Sequence, residues 1–135
     1  MDPNFALAHN QLGLAYLQKQ THDEATAELQ KAVRLSGASP TCVANLASAY
    51  VASGKRNEAA MLLSDLKTRS KPSYSYSPEI AVIYAAFGER EQAMNWLEKG
   101  YEERFNPSVL LRPGFDPLRS DPRFQDLLQR IGLTH

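Results

Sequence analysis

The sequence predicts an all-α protein, a right-handed α-solenoid of three helical hairpins closed by a C-terminal helix. Two observations predict this fold class. The 135-residue chain repeats its pattern every 34 residues, with apolar residues at helical spacing in each unit, and its last segment leaves that period and forms a one-sided apolar helix. The length suits a single domain, residues 1–135, with a hydrophobic core of its own.

The repeat consists of columns of equivalent residues. The columns are Leu12, Leu46 and Ile80; Tyr16, Tyr50 and Tyr84; Ala25, Ala59 and Ala93; Leu29, Leu63 and Leu97; and Gln20, Gly54 and Gly88. The small column lets the two helices of a hairpin approach closely, and the aromatic and aliphatic columns fill the space between hairpins. Because one hairpin cannot bury its apolar face alone, the units must stack. We place the repeats at about 6–39, 40–73 and 74–107.

Turn and capping residues divide each unit into two helices. Thr21 or Asp23 is expected to cap the second helix of the first unit, and Gly37 suits the left-handed residue that follows it. In the third unit, Ser77 and Pro78 are expected as N-cap and first helical residue. The predicted helices span residues 5–19, 22–36, 40–53, 56–70, 78–87 and 90–103.

The tail, residues 108–135, begins as a turn-rich link. Asp116-Pro117 and Asp121-Pro122 each suit an N-cap followed by the first residue of a helix. The last predicted helix spans residues 122–131 and carries one apolar stripe, formed by Phe124, Leu127, Leu128 and Ile131. Such a helix is expected to cap the open end of the stack.

The columns resemble the tetratricopeptide repeat family over about residues 6–107. The first unit carries its pattern in His9, Leu12, Gly13, Tyr16, Ala25, Leu29 and Ala32. The resemblance implies a protein-interaction or scaffolding module whose first helices line a concave groove. Residues 116–124 are also similar to the ending of tetratricopeptide regions in multidomain bacterial signalling proteins. That likeness implies a cytoplasmic or envelope context, of which we favour the cytoplasm.

The family's groove positions, carried over to this chain, predict a binding surface that is mostly small, neutral and partly apolar. They are Asn10, Leu14, Leu17, Gln18, Ala44, Asn45, Ser48, Val51, Ala52, Glu79, Val82 and Ala86. Only Asn45 matches the carboxylate clamp with which some family members grip acidic chaperone tails, and Asn10, Ser75 and Glu79 stand where that clamp needs basic residues. Tyr74 and Tyr76 are predicted as possible interface aromatics, with simple packing over neighbouring helices as the alternative.

Composition and spacing argue against several other classes. Fifteen basic and fifteen acidic residues cancel, which gives no reason to expect nucleic acid as a partner. Apolar stretches are too short for membrane insertion. Cys42 is the single cysteine, and the three histidines share no metal-ligand spacing. We therefore predict no catalytic, cofactor-binding or metal-binding residues, and no enzyme activity.

The function predicted from the sequence is binding of a protein or peptide, in the groove or at the N-terminal face. The alternative is a spacer or dimerisation segment of a larger bacterial signalling protein, with no ligand of its own. The first helix carries more apolar residues than one buried face requires, among them Phe5 and Leu7. This excess suggests that the chain is the C-terminal piece of a longer protein and that it forms a homodimer through its first helix.

Overall fold

The computed structural model describes residues 3–70 and 76–132, and these residues form helices and turns without any strand. The helices are α1 (Pro3–Gln18), α2 (His22–Leu35), α3 (Pro40–Ala52), α4 (Arg56–Arg69), α5 (Ser77–Phe87), α6 (Arg90–Glu102) and α7 (Pro122–Arg130), with two short 3-10 helices, η1 (Pro107–Leu111) and η2 (Pro113–Leu118), before α7. The predicted all-α fold of helical hairpins is confirmed. Both ends of each predicted helix lie within two residues of the observed ends.

Three antiparallel pairs form the hairpins, α1 with α2, α3 with α4, and α5 with α6. Small residues allow the close approach within a pair. A Cβ atom added to Gly13 would lie 2.5 Å from Cγ of Leu29, so a larger residue would push α1 away from α2. Ala25, Ala59 and Ala93 are fully buried. Neighbouring hairpins stack because α2 contacts α3 and α4 contacts α5.

The turn inside each hairpin uses a residue in the left-handed region. Gly54 and Gly88 adopt φ values of +83° and +81°, whereas Gln20 adopts +63° at the same place in the first hairpin. Gly37, expected to be left-handed after α2, has a φ of +67°. A left-handed residue with a side chain carries a backbone cost that glycine avoids.

Of the expected N-caps, Thr21 is right in position but makes no side-chain cap bond, and Ser77 is wrong. Thr21 occupies the N-cap position of α2, but its hydroxyl donates a hydrogen bond to the Tyr16 carbonyl, 2.9 Å away, and makes no cap bond. The helix α5 begins at Ser77 with Tyr76 as its N-cap, and the Ser77 hydroxyl donates to the Glu103 carboxylate at 2.9 Å. In both cases a partner close in space competes successfully for the hydroxyl.

The tail is more helical than its sequence suggests. Asp116 and Pro117 lie inside η2 and do not start an α-helix, which corrects that expectation. Asp121 does cap α7, because its Oδ1 accepts a hydrogen bond from the Arg123 backbone N–H at 2.9 Å. Hydrogen bonds from the side chain and backbone of Arg123 hold the pKa of Asp121 below its usual value.

The apolar stripe of α7 packs against the core. Phe124 and Leu127 are fully buried, and the Phe124 ring centroid lies 6.1 Å from that of Phe115 in η2. Leu128 and Ile131 are partly buried against the same core. This packing supports the prediction that α7 caps the stack. Deletion of residues 121–135 tests it.

Candidate protein-binding groove

Two adjoining cavities lie between α1, α3 and the tail. The larger has a volume of about 360 Å³ and the smaller about 190 Å³. Both are lined by Leu14, Gln18, Asn45, Pro113 and Gly114. We call the two cavities together the groove. Its walls are the exposed side of α1 and the beginning of η2, and α3 lies between them.

Amides and small side chains line the side of the groove formed by the hairpins. Asn45 donates a hydrogen bond from Nδ2 to Oδ1 of the buried Asn10, at 3.0 Å, which ties α3 to α1. The Ser48 hydroxyl donates to the Ala44 carbonyl at 3.1 Å within α3. These polar groups are already paired, and the neighbouring Leu14 and Leu17 are half-buried. The surface therefore offers mainly apolar contact. The amide of Gln18 and the remaining hydrogen-bonding atoms of Asn45 add polar groups.

The tail folds back over the part of the concave face that belongs to α5. Nη1 of Arg112 lies 3.0 Å from Oε2 of Glu79, in an ion pair with the carboxylate largely buried. A Cβ atom on Gly114 would lie 2.9 Å from Cγ1 of Val82, so only glycine lets η2 come this close to α5. Val82 forms part of the larger cavity although it is itself 4% exposed.

Arg119 holds this segment in shape. Its Nη1 donates to the Leu110 carbonyl at 3.1 Å and its Nη2 to the Arg112 carbonyl at 2.9 Å. Its Nε lies 2.8 Å from Oδ1 of Asp116. Because one guanidinium binds a carbonyl of η1, the Arg112 carbonyl between the two 3-10 helices and the Asp116 carboxylate of η2, the tail wall has a defined conformation.

The structure brings most of the predicted groove residues together. Those lining the groove are Asn10, Leu14, Leu17, Gln18, Ala44, Asn45, Ser48, Val82 and Ala86. Three others lie elsewhere. Glu79 is buried beneath Arg112, Val51 packs half-buried against the core, and Ala52 faces a shallow depression near the start of α2.

The predicted aromatic pair is only partly described. Tyr76 is half-buried, and its ring centroid lies 5.6 Å from the Arg69 guanidinium carbon, a cation–π contact within the chain. Its backbone N–H donates to Oγ of Ser70 at 2.9 Å. Tyr74 lies outside the described residues, so the interface role of the pair stays a prediction.

Sequence reasoning missed the contribution of the tail to the groove. Arg112, Pro113, Gly114, Asp116 and Pro117 all line it, but they lie outside the repeat period and have no equivalent in the columns. One feature of the sequence could have indicated that another segment packs on α5. Glu79 stands on a helix that is otherwise apolar, and a carboxylate buried there requires a cation from another segment.

The architecture and the groove together define a helical-hairpin repeat protein. Residues 6–39 match the model of the tetratricopeptide repeat, so the first hairpin is a repeat of this type. Tetratricopeptide repeats generally mediate protein–protein interaction. No curated protein and no solved structure matches the chain.

Within 3–70 and 76–132, no three His, Cys, Asp or Glu residues are grouped closely enough to hold a metal ion. None of the helices in those ranges is both long and apolar enough to cross a membrane.

Proposed function

We propose that the groove binds a protein segment of low charge, extended or helical, mainly through apolar contact. Support comes from Leu14 and Ala86, which supply apolar surface on opposite sides of the groove, and from Asn45 and Gln18, whose amides can meet a peptide backbone. A partner would also touch the tail at Pro113. Val82, predicted from the sequence as a groove residue, is 4% exposed, so we assign the main apolar contacts to Leu14 and Pro113.

The charges at the rim support a partner of low charge. Arg112 and Asp116 are the charged side chains that line the groove. Each already has a partner, Glu79 for Arg112 and Arg119 for Asp116. An acidic or basic ligand would have to break an existing ion pair, so electrostatic attraction offers little net gain.

The test is a screen of displayed peptide segments followed by affinity measurements at low and moderate salt. We expect affinity for the selected segments to change little with salt, since screening acts on exposed charges. Leu14→Asp should weaken binding about tenfold or more, because it places a charge in the apolar groove. Leu12→Asp is the matched control, since Leu12 lies on α1 outside the groove. A many-fold loss of affinity with salt would contradict the proposal.

The alternative is a spacer or dimerisation segment of a larger bacterial signalling protein, in the cytoplasm. One observation favours it, namely the apolar residues that α1 exposes outside the groove, Phe5 and Leu12. It predicts that no segment from the screen binds in the groove and that sedimentation at tens of micromolar gives twice the 15.0 kDa mass of the chain.

A further inference from the structure

Equivalent positions in the three hairpins differ sharply in burial. Leu46 in α3 is 5% exposed and Ile80 in α5 is fully buried, whereas Leu12 in α1 is 42% exposed. A second column behaves in the same way, since Ala49 is fully buried while Ala15 is exposed. The same face is therefore covered in two helices and open in the first.

The helices that cover the equivalent faces are known from the structure. The second helix of the preceding hairpin contacts the first helix of the next, α2 against α3 and α4 against α5. On α3, Leu46 and Ala49 cluster with the fully buried Leu29 of α2, and Val33 packs against the same cluster. Leu29 and Val33 are four residues apart and so lie on one side of α2.

The open face of α1 has the composition of a helix–helix interface. We call Phe5, Ala8, Leu12 and Ala15 the outer stripe. All four are exposed, and their spacing places them along one side of the helix. Small residues flank Leu12 as Cys42 and Ala49 flank Leu46. The segment 5–18 contains no Asp, Glu, Lys or Arg, so covering the stripe would desolvate no charged group of α1.

A second copy of the chain has no matching helix free. The residues equivalent to Leu29, which covers Leu46, are Leu63 in α4 and Leu97 in α6. Leu29 and Leu97 are fully buried and Leu63 is partly buried against the core, so none of the three is free. The end of the described stack is also occupied, because α7 contacts α6. Apart from those of α1, the exposed large apolar residues in the described part of the chain are Met61 in α4 and Leu111 in η1, which lie on different elements and do not form a pair of aliphatic residues four positions apart.

We propose that the outer stripe binds an amphipathic helix of a partner protein, which carries branched aliphatic residues four positions apart, as α2 covers α3. Phe5, Ala8 and Leu12 lie outside the groove, whereas Ala15, at the end of the stripe, also lines the larger cavity. Ala8 and Leu12 therefore report on the outer stripe alone. Leu7 and Leu14 lie about 140° and 160° around the helix from Leu12 at 3.6 residues per turn. The partner helix continues the stack of hairpins and buries Leu12 as Leu46 is buried.

The test uses a synthetic peptide with the sequence of residues 22–35, stapled between the positions of Ala27 and Lys31, which are exposed in the chain. The staple is needed because isolated helices of this length are marginal in water. Titration into the full chain is followed by NMR of leucine and alanine methyl groups. We expect shifts at Ala8, Leu12 and Ala15, and at least tenfold weaker binding when the peptide carries Leu29→Asp and Val33→Asp.

Variants of the protein locate the site. Leu12→Asp should abolish the shifts, and Phe5→Asp, on the same stripe, should weaken binding as well. Leu7→Asp is the matched control, because Leu7 is 57% exposed on the groove side of the same helix, and it should leave binding unchanged. Since these side chains are exposed, the variants should stay folded, which circular dichroism checks.

Three results would overturn the proposal. The first is an absence of shifts at a peptide concentration on the order of 1 mM. The second is binding that Leu7→Asp abolishes and Leu12→Asp does not, which would move the peptide to the groove. The third is the appearance of the same methyl shifts when the protein concentration is raised without peptide, together with a dimer in sedimentation. That result would mean that a second copy of the chain covers the outer stripe.

Discussion

The first and third hairpins have the same repeat pattern and opposite environments. In α5, every residue from Ser77 to Ala85 is buried, because α3, α4, α6 and η2 all contact this helix. In α1, the buried residues among those described are Ala6, Asn10 and Gly13, and α2 is its main neighbour. The same repeat position can therefore be buried in one hairpin and exposed in another. Its residue type allows it to pack, but it is buried only where a neighbouring helix covers it.

The tail contributes to this difference through η2, which contacts α5, and removal of its last helix, α7, has the largest expected effect. Removing residues 121–135 takes away two fully buried side chains, Phe124 and Leu127. At about 1.5–3 kcal/mol each, hydrophobic burial worth about 3–6 kcal/mol is lost, before the ordering entropy of α7 is subtracted. Urea unfolding should show the third hairpin strongly destabilised. Gln129→Ala, at an exposed position of α7, is the control, and an unchanged midpoint after the deletion would mean that α7 is no cap.

The column Leu12, Leu46 and Ile80 gives the sharpest comparison between the hairpins. Ile80→Ala should lower the free energy of unfolding by about 2–5 kcal/mol, the range for a fully buried aliphatic residue that leaves a cavity. Leu12→Ala should lower the free energy of unfolding by less than about 1 kcal/mol, because Leu12 is 42% exposed and its truncation leaves no enclosed cavity. Chemical denaturation of both variants measures the difference. An equal loss of unfolding free energy in the Leu12→Ala and Ile80→Ala variants would show that α1 is covered in solution, for example by a second copy of the chain.

The turns of the two hairpins give the smallest expected effect. Gln20 and Gly88 occupy equivalent positions with positive φ. Gln20→Gly should raise the free energy of unfolding by about 0.5–1 kcal/mol, because glycine removes the left-handed backbone cost. Gly88→Ala should lower it by about 1 kcal/mol. A Cβ atom at Gly88 would meet no other atom within 4 Å, so this change reports on backbone conformation alone. A destabilising Gln20→Gly would contradict the argument.

The helix bounds were predicted correctly from the sequence where capping and turn residues determine them locally. The bounds of α2, for example, follow from the break at Gln20 and the glycine at position 37, and those of α7 follow from Asp121-Pro122. The groove was predicted in part, since Leu14, Asn45 and Ala86 do line it. Glu79 and Val82 were expected on its open surface, but both lie beneath the tail. Glu79 on an apolar helix indicates that a cation must pair with it, but nothing near Glu79 or Val82 in the sequence identifies Arg112 or Gly114, which contact them only after the tail folds back.

What the sequence by itself determined is the set of helices and their pairing into hairpins. Helical spacing, capping residues and turn glycines act over a few residues, and the 34-residue period repeats them. Only the tertiary structure decided which faces of those helices are buried. That choice depends on contacts between segments more than 30 residues apart, such as Arg112 with Glu79, whose energies no local pattern expresses. Leu12 in the outer stripe of α1 and Ile80 in α5 therefore occupy the same column of the repeat, and they differ in burial because neighbouring helices cover Ile80 and leave Leu12 exposed.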